Sequence, residues 1–247
     1  LYDNSGQNYR LEYGKSQSRY PLPWPGVVLN ATSNWWGTWD PQQIRGTIHD
    51  WENDSNLGLV NFKDFLSSDG GDVATPLEGG EYLVGRVPNG TVLDGIYQVP
   101  ATFVIPSGQH LEMTAGTLLK FESGARFLVK SGGRVTCNGT TDSPIVFTSA
   151  ASEPSAGSWT GIYFEENATG HLKNCEIAYA SYGVQVYKST VTIEDSILHH
   201  NTDGLYARYN CTVTVTGTTL RNNENGVRAY AHQYGISSNQ KNVPDVS

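Results

Sequence analysis

The sequence contains 247 residues and has a formal net charge of −8, with 16% of its residues charged. This length is enough for one solenoid domain with decorations. The acidic balance and the scattered lysines and arginines argue against a nucleic-acid-binding protein, which needs a basic face. No apolar stretch approaches the roughly 18 residues of a membrane-spanning helix.

The first residues resemble the last periodic ones. Residues 1–13 and 220–230 each run from a leucine through polar residues and a glycine towards a tyrosine. We therefore expect the chain to begin in the middle of a structural repeat, with an end that is open to strand pairing. The residues expected at the two assembly ends are Leu1, Tyr2, Tyr9, Leu11 and Tyr13 at one end and Leu220, Val227 and Tyr230 at the other.

The chain begins at Leu1 rather than Met, and its first residues do not form a signal peptide. This pattern predicts a chain that is processed or excised from a larger protein and is not cytosolic. We expect an extracellular or cell-surface location.

One short helix is predicted near the N-terminus. Asp40 is a capping carboxylate, and Pro41 suits the first helical position. Ile44, Ile48 and Trp51 then fall on one face at helical spacing. We expect a helix over residues 41–52 that lies on the solenoid.

Short strands are expected on both sides of this helix, at residues 27–29 and 61–65. Residues 67–80 are rich in serine, glycine and aspartate, which is typical of a linker. The predicted organisation is an N-terminal segment with a partial coil, strands and a helix, then a linker, a solenoid and a polar tail, at residues 1–66, 67–80, 81–236 and 237–247, respectively.

A repeat of 21–22 residues dominates the second half of the chain. Similar short phrases place glycines at positions 161, 183, 204 and 226. A fixed period of this length is typical of a solenoid, in which one coil cannot bury its apolar face alone. Earlier in the chain, glycines recur every eight residues, at positions 108, 116, 124 and 132, which is the rhythm of a coil with three strands.

Within the repeats the hydrophobic pattern has a period of two. Residues 190–193 and 212–215 alternate threonine with branched apolar residues, as half-buried strands do. Stacked coils would place Leu172, Ile193 and Val215 in one interior column, and Asn201 and Asn223 in one turn column. A coil of about 22 residues is too short for a strand and a full helix. The sequence therefore predicts an all-β parallel β-helix.

Several phrases resemble right-handed parallel β-helix domains of secreted and cell-surface proteins of archaea and bacteria, which share the pectate-lyase-like fold. The matching segments are Val104–Gly108, Leu111–Phe121, Pro144–Ser149 and Trp159–Phe164. Asn34-Trp-Trp-Gly37 and the following residues up to Phe62 resemble the segment that ends such domains. The resemblance implies a right-handed solenoid and says little about activity, because this fold carries many functions.

A catalytic site is not predicted. Asn201-Thr-Asp-Gly204 resembles one motif of polygalacturonases, but the paired aspartates, Gly-His-Gly and Arg-Ile-Lys of that family are absent from the sequence. Hydrolysis of this kind needs two carboxylates, and the positions aligned with Asp203 are Tyr182 and Asn225. A turn at Asp203-Gly204 is therefore favoured, and no residue is expected to be essential for cleavage of polyuronates.

The remaining polar and aromatic residues of the repeats are considered as binding groups. His199 and His200, like Glu194 and Asp195, are neighbours on a strand and should point to opposite faces. Arginines 208, 221 and 228 could bind anionic sugars. The tyrosines near the repeated strands either form an outward stacking platform or else fill the core or pack against neighbouring loops; they are Tyr163, Tyr187, Tyr206, Tyr209 and Tyr230. No cofactor or metal site is predicted.

The three cysteines are Cys137, Cys175 and Cys211. An odd number cannot form a complete set of intrachain disulfides. They are expected to be buried small residues on strands, with a disulfide between stacked coils as the alternative.

Glycosylation sequons are frequent. The Asn-x-Ser/Thr pattern marks possible glycan sites in a secreted chain, especially where it falls in turns. The candidate asparagines are Asn30, Asn53, Asn89, Asn138, Asn167 and Asn210.

Three functions fit these observations. The first is a non-enzymatic extracellular building block of a sheath or filament, assembled head-to-tail from copies of itself by strand complementation. The second is a carbohydrate-binding or polysaccharide-degrading β-helix protein, and the third is an adhesin module of a larger surface protein. Cell-surface glycans are the other expected partners.

Overall fold

The computed structural model describes residues 9–10, 28–49, 59–62, 64–74, 80–85 and 89–230. Outside the solenoid, the described elements are α1 (Pro41–Gly46), β1 (Tyr9–Arg10), β2 (Val28–Asn30), β3 (Ile48–His49) and β4 (Leu59–Asn61). β1 pairs with β3 and β2 with β4, both in parallel.

The described residues of the solenoid form three parallel sheets. Sheet I contains β6 (Thr91–Leu93), β9 (His110–Thr114), β12 (Arg134–Asn138), β15 (Thr169–Lys173), β18 (Thr190–Glu194) and β21 (Thr212–Thr216). Sheet II contains β5 (Glu81–Tyr82), β7 (Ile96–Val99), β10 (Leu118–Phe121), β13 (Ile145–Ser149), β16 (Cys175–Ala178), β19 (Ile197–His199) and β22 (Thr219–Arg221). Sheet III contains β8 (Phe103–Ile105), β11 (Arg126–Val129), β14 (Trp159–Phe164), β17 (Ala180–Tyr187), β20 (Asp203–Arg208) and β23 (Asn225–Tyr230).

The chain passes through sheets I, II and III in turn and pairs each strand with its counterpart one coil later. About six coils stack in this way within the described residues, in a right-handed solenoid. This handedness is the usual one for parallel crossover connections. The predicted fold class, an all-β right-handed parallel β-helix with coils of about 22 residues and one short helix, is confirmed.

The interior columns follow the period-two pattern. Leu172 pairs with Ile193 and Ile193 with Val215, and the first two side chains are completely buried. Val215 is partly buried against the same core because its coil is the last one described. The predicted interior column is therefore confirmed.

The predicted turn column is also confirmed. Asn201 is fully buried, and its backbone amide donates to Asn223 Oδ1 at 2.9 Å. The Asn201 side chain accepts a hydrogen bond from the Ala180 amide at 2.8 Å and donates to the Ile177 carbonyl at 3.0 Å. These bonds satisfy backbone groups at the corner between sheets II and III, which would otherwise be buried without partners.

The repeated glycines have a steric cause. A Cβ atom added to Gly183 would lie 2.6 Å from the carbonyl oxygen of Gly204, and one added to Gly204 would lie 2.7 Å from that of Gly226. Each glycine therefore lets the backbone of the next coil approach closely. Around Gly226 the described residues leave the corresponding space open, with no atom within 4 Å.

The N-terminal segment forms a second, smaller core. Its buried residues include Trp36, Ile44 and Phe62, and it continues onto Tyr82 of sheet II. The packing of Tyr82 against Phe65, with ring centroids 5.2 Å apart, connects this core to the first strand of the solenoid.

The predicted helix over residues 41–52 is too long. Asp40 caps α1 by accepting hydrogen bonds from the amides of Gln42 and Gln43, as expected, but the helix ends at Gly46. Thr47 closes it by donating its hydroxyl to the Ile44 carbonyl at 2.8 Å. Glycine disfavours helix continuation, and β3 follows directly; Trp51 lies outside the described residues.

The strand predicted at 61–65 is also misplaced, because β4 ends at Asn61. Asp64 has a positive φ of 57°, which is incompatible with an extended strand. In the segment predicted as a linker, Val73 forms an antiparallel bridge with Leu66, the residue just before the segment, and Ala74 is buried.

Candidate ligand-binding face

The outer surface of sheet III combines tyrosine and arginine side chains. Strand register aligns Tyr163, Gln185, Tyr206 and Arg228 in one column and Tyr187, Arg208 and Tyr230 in the next. We call these seven residues the Tyr–Arg face. The residues between the two columns, such as Val186 and Ala207, point into the core, so the face follows from strand alternation.

The tyrosines therefore form the outward platform rather than part of the core. Tyr230 is 57% exposed, whereas Tyr163, Tyr187, Tyr206 and Tyr209 are half-buried. The rings of Tyr187 and Tyr209 lie 5.3 Å apart, edge to face.

The guanidinium groups lie over the tyrosine rings. The Arg208 guanidinium carbon is 5.2 Å from the ring centroid of Tyr187 and 5.8 Å from that of Tyr206, and the Arg228 carbon is 4.7 Å from the latter. These distances are typical of cation–π contacts, which hold the flexible arginines in fixed positions. The face therefore presents preorganised positive charge beside aromatic surface.

The two glutamates beside the face form ion pairs, whereas Arg208 does not form one with any described residue. Glu165 forms an ion pair with Lys130 at 2.7 Å, and Glu166 with Lys188 at 3.3 Å. Among the described residues, Arg208 forms no ion pair. Its charge is therefore not neutralised by a carboxylate of the described residues.

Tyr163 contacts Arg208 through its phenol. Burial raises the pKa of this phenol, against the lowering effect of the hydrogen bond and charge of Arg208.

A cleft of about 350 Å³ borders the face. Its lining includes Tyr163, Tyr187, Glu165, Glu166 and Asn167. Its volume lies within the range of small-molecule sites.

Asp203 is not in the predicted turn. It is the first residue of β20 and is completely buried. Its carboxylate accepts a hydrogen bond from Asn225 at 2.9 Å and pairs with Arg228. The expected neighbours in register, Tyr182 and Asn225, are confirmed. Asp203 thus holds Arg228 in place and has no carboxylate aligned with it on either side.

The expectation that His199 and His200 cannot meet is wrong. Their Nδ1 atoms lie 2.7 Å apart, and His199 Nε2 lies 3.0 Å from Glu176 Oε1. β19 ends at His199, and His200 has a positive φ of 53°, so strand alternation no longer separates the two side chains. Tyr179 stacks on His200 with ring centroids 5.5 Å apart. Sequence alternation missed this cluster because it assumed a continuous strand.

The arginines predicted as a group are divided between two surfaces. Arg208 and Arg228 lie on the Tyr–Arg face, whereas Arg221 is exposed on sheet II, in register with His199. The outward parity of Tyr163, Tyr206 and Arg208 relative to the buried residues of the same strands was the sequence signal that could have identified the face.

The cysteines are free thiols. Cys137 and Cys175 are buried, whereas Cys211 is partly exposed. Burial and the neighbouring Cys175 thiol raise the pKa of Cys137 well above its usual value. The burial of Cys137 and Cys175 matches the buried small-residue interpretation, whereas Cys211 is only partly buried.

The sequons occupy varied positions. Asn89 and Asn167 are exposed in turns, Asn210 is exposed at a bend, and Asn138 is exposed at the end of β12, where it donates to Glu112 at 3.0 Å. Asn30 lies in β2, and Asn53 lies outside the described residues. Glycosylation at these positions stays a prediction.

The residues predicted at the assembly ends are partly described. Leu1, Tyr2, Leu11 and Tyr13 lie outside the described residues, whereas Tyr9 pairs with Ile48 between β1 and β3. On the last described coil, Leu220 packs partly against the core, Val227 is 45% exposed and Tyr230 belongs to the Tyr–Arg face.

Two further features of the described residues concern metal ligands and membrane-spanning helices. These residues contain no group of three or more histidine, cysteine or acidic side chains arranged to hold a metal ion. No helix in this part of the chain is long and apolar enough to cross a membrane.

The fold and this face define a parallel β-helix protein with an aromatic and cationic outer surface. The pectate-lyase like beta helix domain family matches residues 85–193, from the start of the solenoid into β18. Over these residues the chain is therefore similar to pectate-lyase-like β-helix domains, and the structure has the corresponding parallel β-solenoid fold. Neither the curated proteins nor the solved structures that were compared with the chain match it.

Proposed function

We propose that the protein is an extracellular carbohydrate-binding β-helix module that holds acidic polysaccharides on the Tyr–Arg face. The observation that carries this proposal is the position of Arg208, whose guanidinium lies between two tyrosine rings and forms no ion pair among the described residues. Fixed arginines are suited to carboxylates, which they bind through paired hydrogen bonds. The pectate-lyase-like fold is compatible with such a ligand.

The tyrosine rings would contact the apolar face of the sugar. A sugar ring has an apolar face of C–H groups and a polar rim, so it can lie against tyrosine while its carboxylate meets arginine. Tyr206 is partly exposed and is flanked by both Arg208 and Arg228. A chain of uronic acids would use both kinds of contact.

Calorimetric titration with oligogalacturonate and oligomannuronate tests the proposal. Arg208→Gln should weaken binding by on the order of 10- to 100-fold, because a charge-assisted hydrogen bond contributes about 1.5–3 kcal/mol. The affinity should also fall with increasing salt. Arg221→Gln is the matched control, since it removes the same charge from an exposed position on sheet II.

Equal losses in the two variants, or no binding of either acidic oligosaccharide, would refute the proposal. The same solutions can be assayed for unsaturated uronates and new reducing ends. Binding without cleavage is expected, because Asp203 is engaged by Arg228 and lacks an aligned carboxylate.

Head-to-tail assembly is a second candidate function, favoured by Gly226. In the preceding coils, Gly183 and Gly204 are needed because the next coil passes too close for a Cβ atom. Gly226 continues this column, although no described atom lies within 4 Å of the position that a Cβ atom would occupy at this residue. We infer that another coil stacks on β23 and that a second copy of the chain supplies it, to build a filament or sheath.

Such a contact is heterologous, and a heterologous contact that does not close gives a filament. Light scattering at increasing protein concentration tests this inference. Gly226→Ala should reduce the assembled mass while the melting midpoint of the monomer is preserved. A wild-type chain that stays monomeric, or a variant that assembles equally well, would exclude assembly through this surface.

A further inference from the structure

A second cleft lies where the N-terminal segment meets the solenoid, and it shares no residue with the Tyr–Arg face. Its volume is about 530 Å³. The loop and first turn of α1, residues 38–43, form one wall, and the outer surface of sheet II forms the floor. Ligand sites are common at such junctions between structural units.

The floor is defined by strand register. Tyr82, Gln98 and Lys120 are aligned on β5, β7 and β10, and Glu122 follows directly after β10. Because these positions alternate with core residues such as Phe121, their side chains belong to the outer surface of the sheet. The floor is therefore as rigid as the solenoid itself.

Glu122 connects the two sides of the cleft. One of its carboxylate oxygens accepts a hydrogen bond from Gln98 on the floor, and the other accepts one from Gln42 on the wall at 3.3 Å. A carboxylate offers about four acceptor positions, so Glu122 retains the capacity to accept hydrogen bonds from a ligand.

Trp39 gives the cleft an aromatic surface. Its side chain is 49% exposed, although Trp36, three residues earlier, is almost completely buried in the N-terminal core. A large apolar side chain left this exposed is informative when it borders a polar pocket. A ring beside convergent amide and carboxylate groups matches the two faces of a sugar, one apolar and one rich in hydroxyl groups.

The charge of the cleft decides between classes of sugar. Asp40 and Glu122 contribute carboxylates, against one cation from Lys120. Burial and then the negative charges of Glu122 and Asp40 raise the pKa of Tyr82, which indicates a negative local potential. A polyanion is repelled here, whereas a neutral polyhydroxylated ligand can both donate to the carboxylates and accept from the amides.

We propose that this cleft, with Trp39 as its stacking surface and Glu122 as its central acceptor, binds neutral sugars. The site is separate from the acidic-polysaccharide site proposed above. The protein would then contact two kinds of glycan at once, one on each of two sheets.

Binding of neutral cello-, manno- and chito-oligosaccharides, measured by calorimetry with the full chain, tests this proposal. Trp39→Ala should weaken binding of the best oligosaccharide by on the order of tenfold or more, because it removes the apolar surface that the bound sugar would cover. Glu122→Gln should also weaken it, because it replaces one acceptor oxygen by a donor. Arg208→Gln is the control and should leave neutral-sugar binding unchanged.

The outcomes separate this proposal from the proposed function. Failure of all neutral oligosaccharides to bind, or binding that Trp39→Ala and Glu122→Gln leave intact, overturns the cleft proposal without touching the Tyr–Arg face. Loss of neutral-sugar binding in Arg208→Gln would place that binding on the Tyr–Arg face and would also overturn it. Melting curves check that Trp39→Ala folds; if it does not, Glu122→Gln decides the question.

Discussion

Alanine substitutions in the glycine column should destabilise the protein inside the column but not at its last member, Gly226. In Gly204→Ala, the new Cβ atom would lie 2.7 Å from the Gly226 carbonyl oxygen and 2.9 Å from the Asn223 side-chain nitrogen. Ordinary van der Waals contact begins at about 3.4 Å, so the two coils must separate by several tenths of an ångström. In Gly226→Ala, the Cβ atom would meet no described atom within 4 Å.

The expected magnitudes follow from this geometry. Overpacking of a well-packed site costs about 1–3 kcal/mol. For a chain of this size, each kcal/mol lowers the melting midpoint by about 2–4 °C, so Gly204→Ala should melt about 2–12 °C below the wild type. Gly226→Ala should melt at or slightly above the wild-type midpoint, because glycine in a strand is less favourable than alanine by roughly 0.5–1 kcal/mol.

Circular dichroism during heating and urea titration measures both variants. Gly183→Ala, whose Cβ atom would lie 2.6 Å from the Gly204 carbonyl oxygen, should behave like Gly204→Ala. Equal stability of Gly204→Ala and Gly226→Ala would refute the steric explanation of the repeat. A destabilised Gly226→Ala monomer would show that some other part of the same chain packs over that glycine.

Three further predictions concern a buried asparagine and the cysteine thiols. Asn201→Ala should destabilise the protein by roughly 2–4 kcal/mol in urea titration, because it leaves the Ala180 amide and the Ile177 carbonyl without partners. Asn138→Ala, at an exposed strand end, should cost much less, and similar values for the two variants would contradict the stabilising role of the turn column. Iodoacetamide should modify Cys211 in the native protein and Cys137 only after unfolding, since Cys137 is completely buried. Modification of Cys137 before Cys211 would contradict the burial of Cys137 in the core. Because the pKa of Cys137 is raised in the folded state, its contribution to stability is complete below about pH 8.5, the ordinary thiol value, and falls as the pH rises above it. Cys137→Ala should flatten this alkaline decline, and an unchanged decline would assign it to other groups.

The interior of the solenoid was predictable because stacking imposes the same constraint on every coil. Leu172, Ile193 and Val215 share one environment, so their chemistry repeats at the coil period. The same holds for Asn201 and Asn223, which satisfy equivalent backbone groups. Periodicity in the sequence therefore translated directly into contacts.

The corners between strands were less predictable. Glycines 108 and 132 begin a column of corner residues with positive φ, which later coils continue with Asn167, Lys188 and Tyr209. Each amide of this column donates to the carbonyl of the next member, as Asn167 does to Lys188 at 2.9 Å. Residue types other than glycine give little sign of a left-handed corner, which is why the contact between His199 and His200 was missed.

The N-terminal segment was the least predictable part because it does not repeat. The helix α1 ends at Gly46 because Thr47 caps it and the next residues pair with β1 as strand β3. Trp36 and Trp39 are three residues apart, yet one is buried and the other is exposed. Only the tertiary arrangement of this segment over Tyr82 separates their roles.

The outer columns of sheet III vary where the inner columns repeat, and this contrast bears on the shape of the ligand. Each of three successive coils presents one tyrosine and one polar residue, in the pairs Gln185–Tyr187, Tyr206–Arg208 and Arg228–Tyr230. Neighbouring strands are about 4.8 Å apart, so tyrosines of one column recur every second coil, at roughly 9.6 Å. An extended ligand along the solenoid axis would meet rings and polar groups in alternation, whereas a compact ligand would touch only one pair. Affinity for acidic oligosaccharides should therefore rise with chain length until the face is covered, and length-independent affinity would place the ligand across the axis instead.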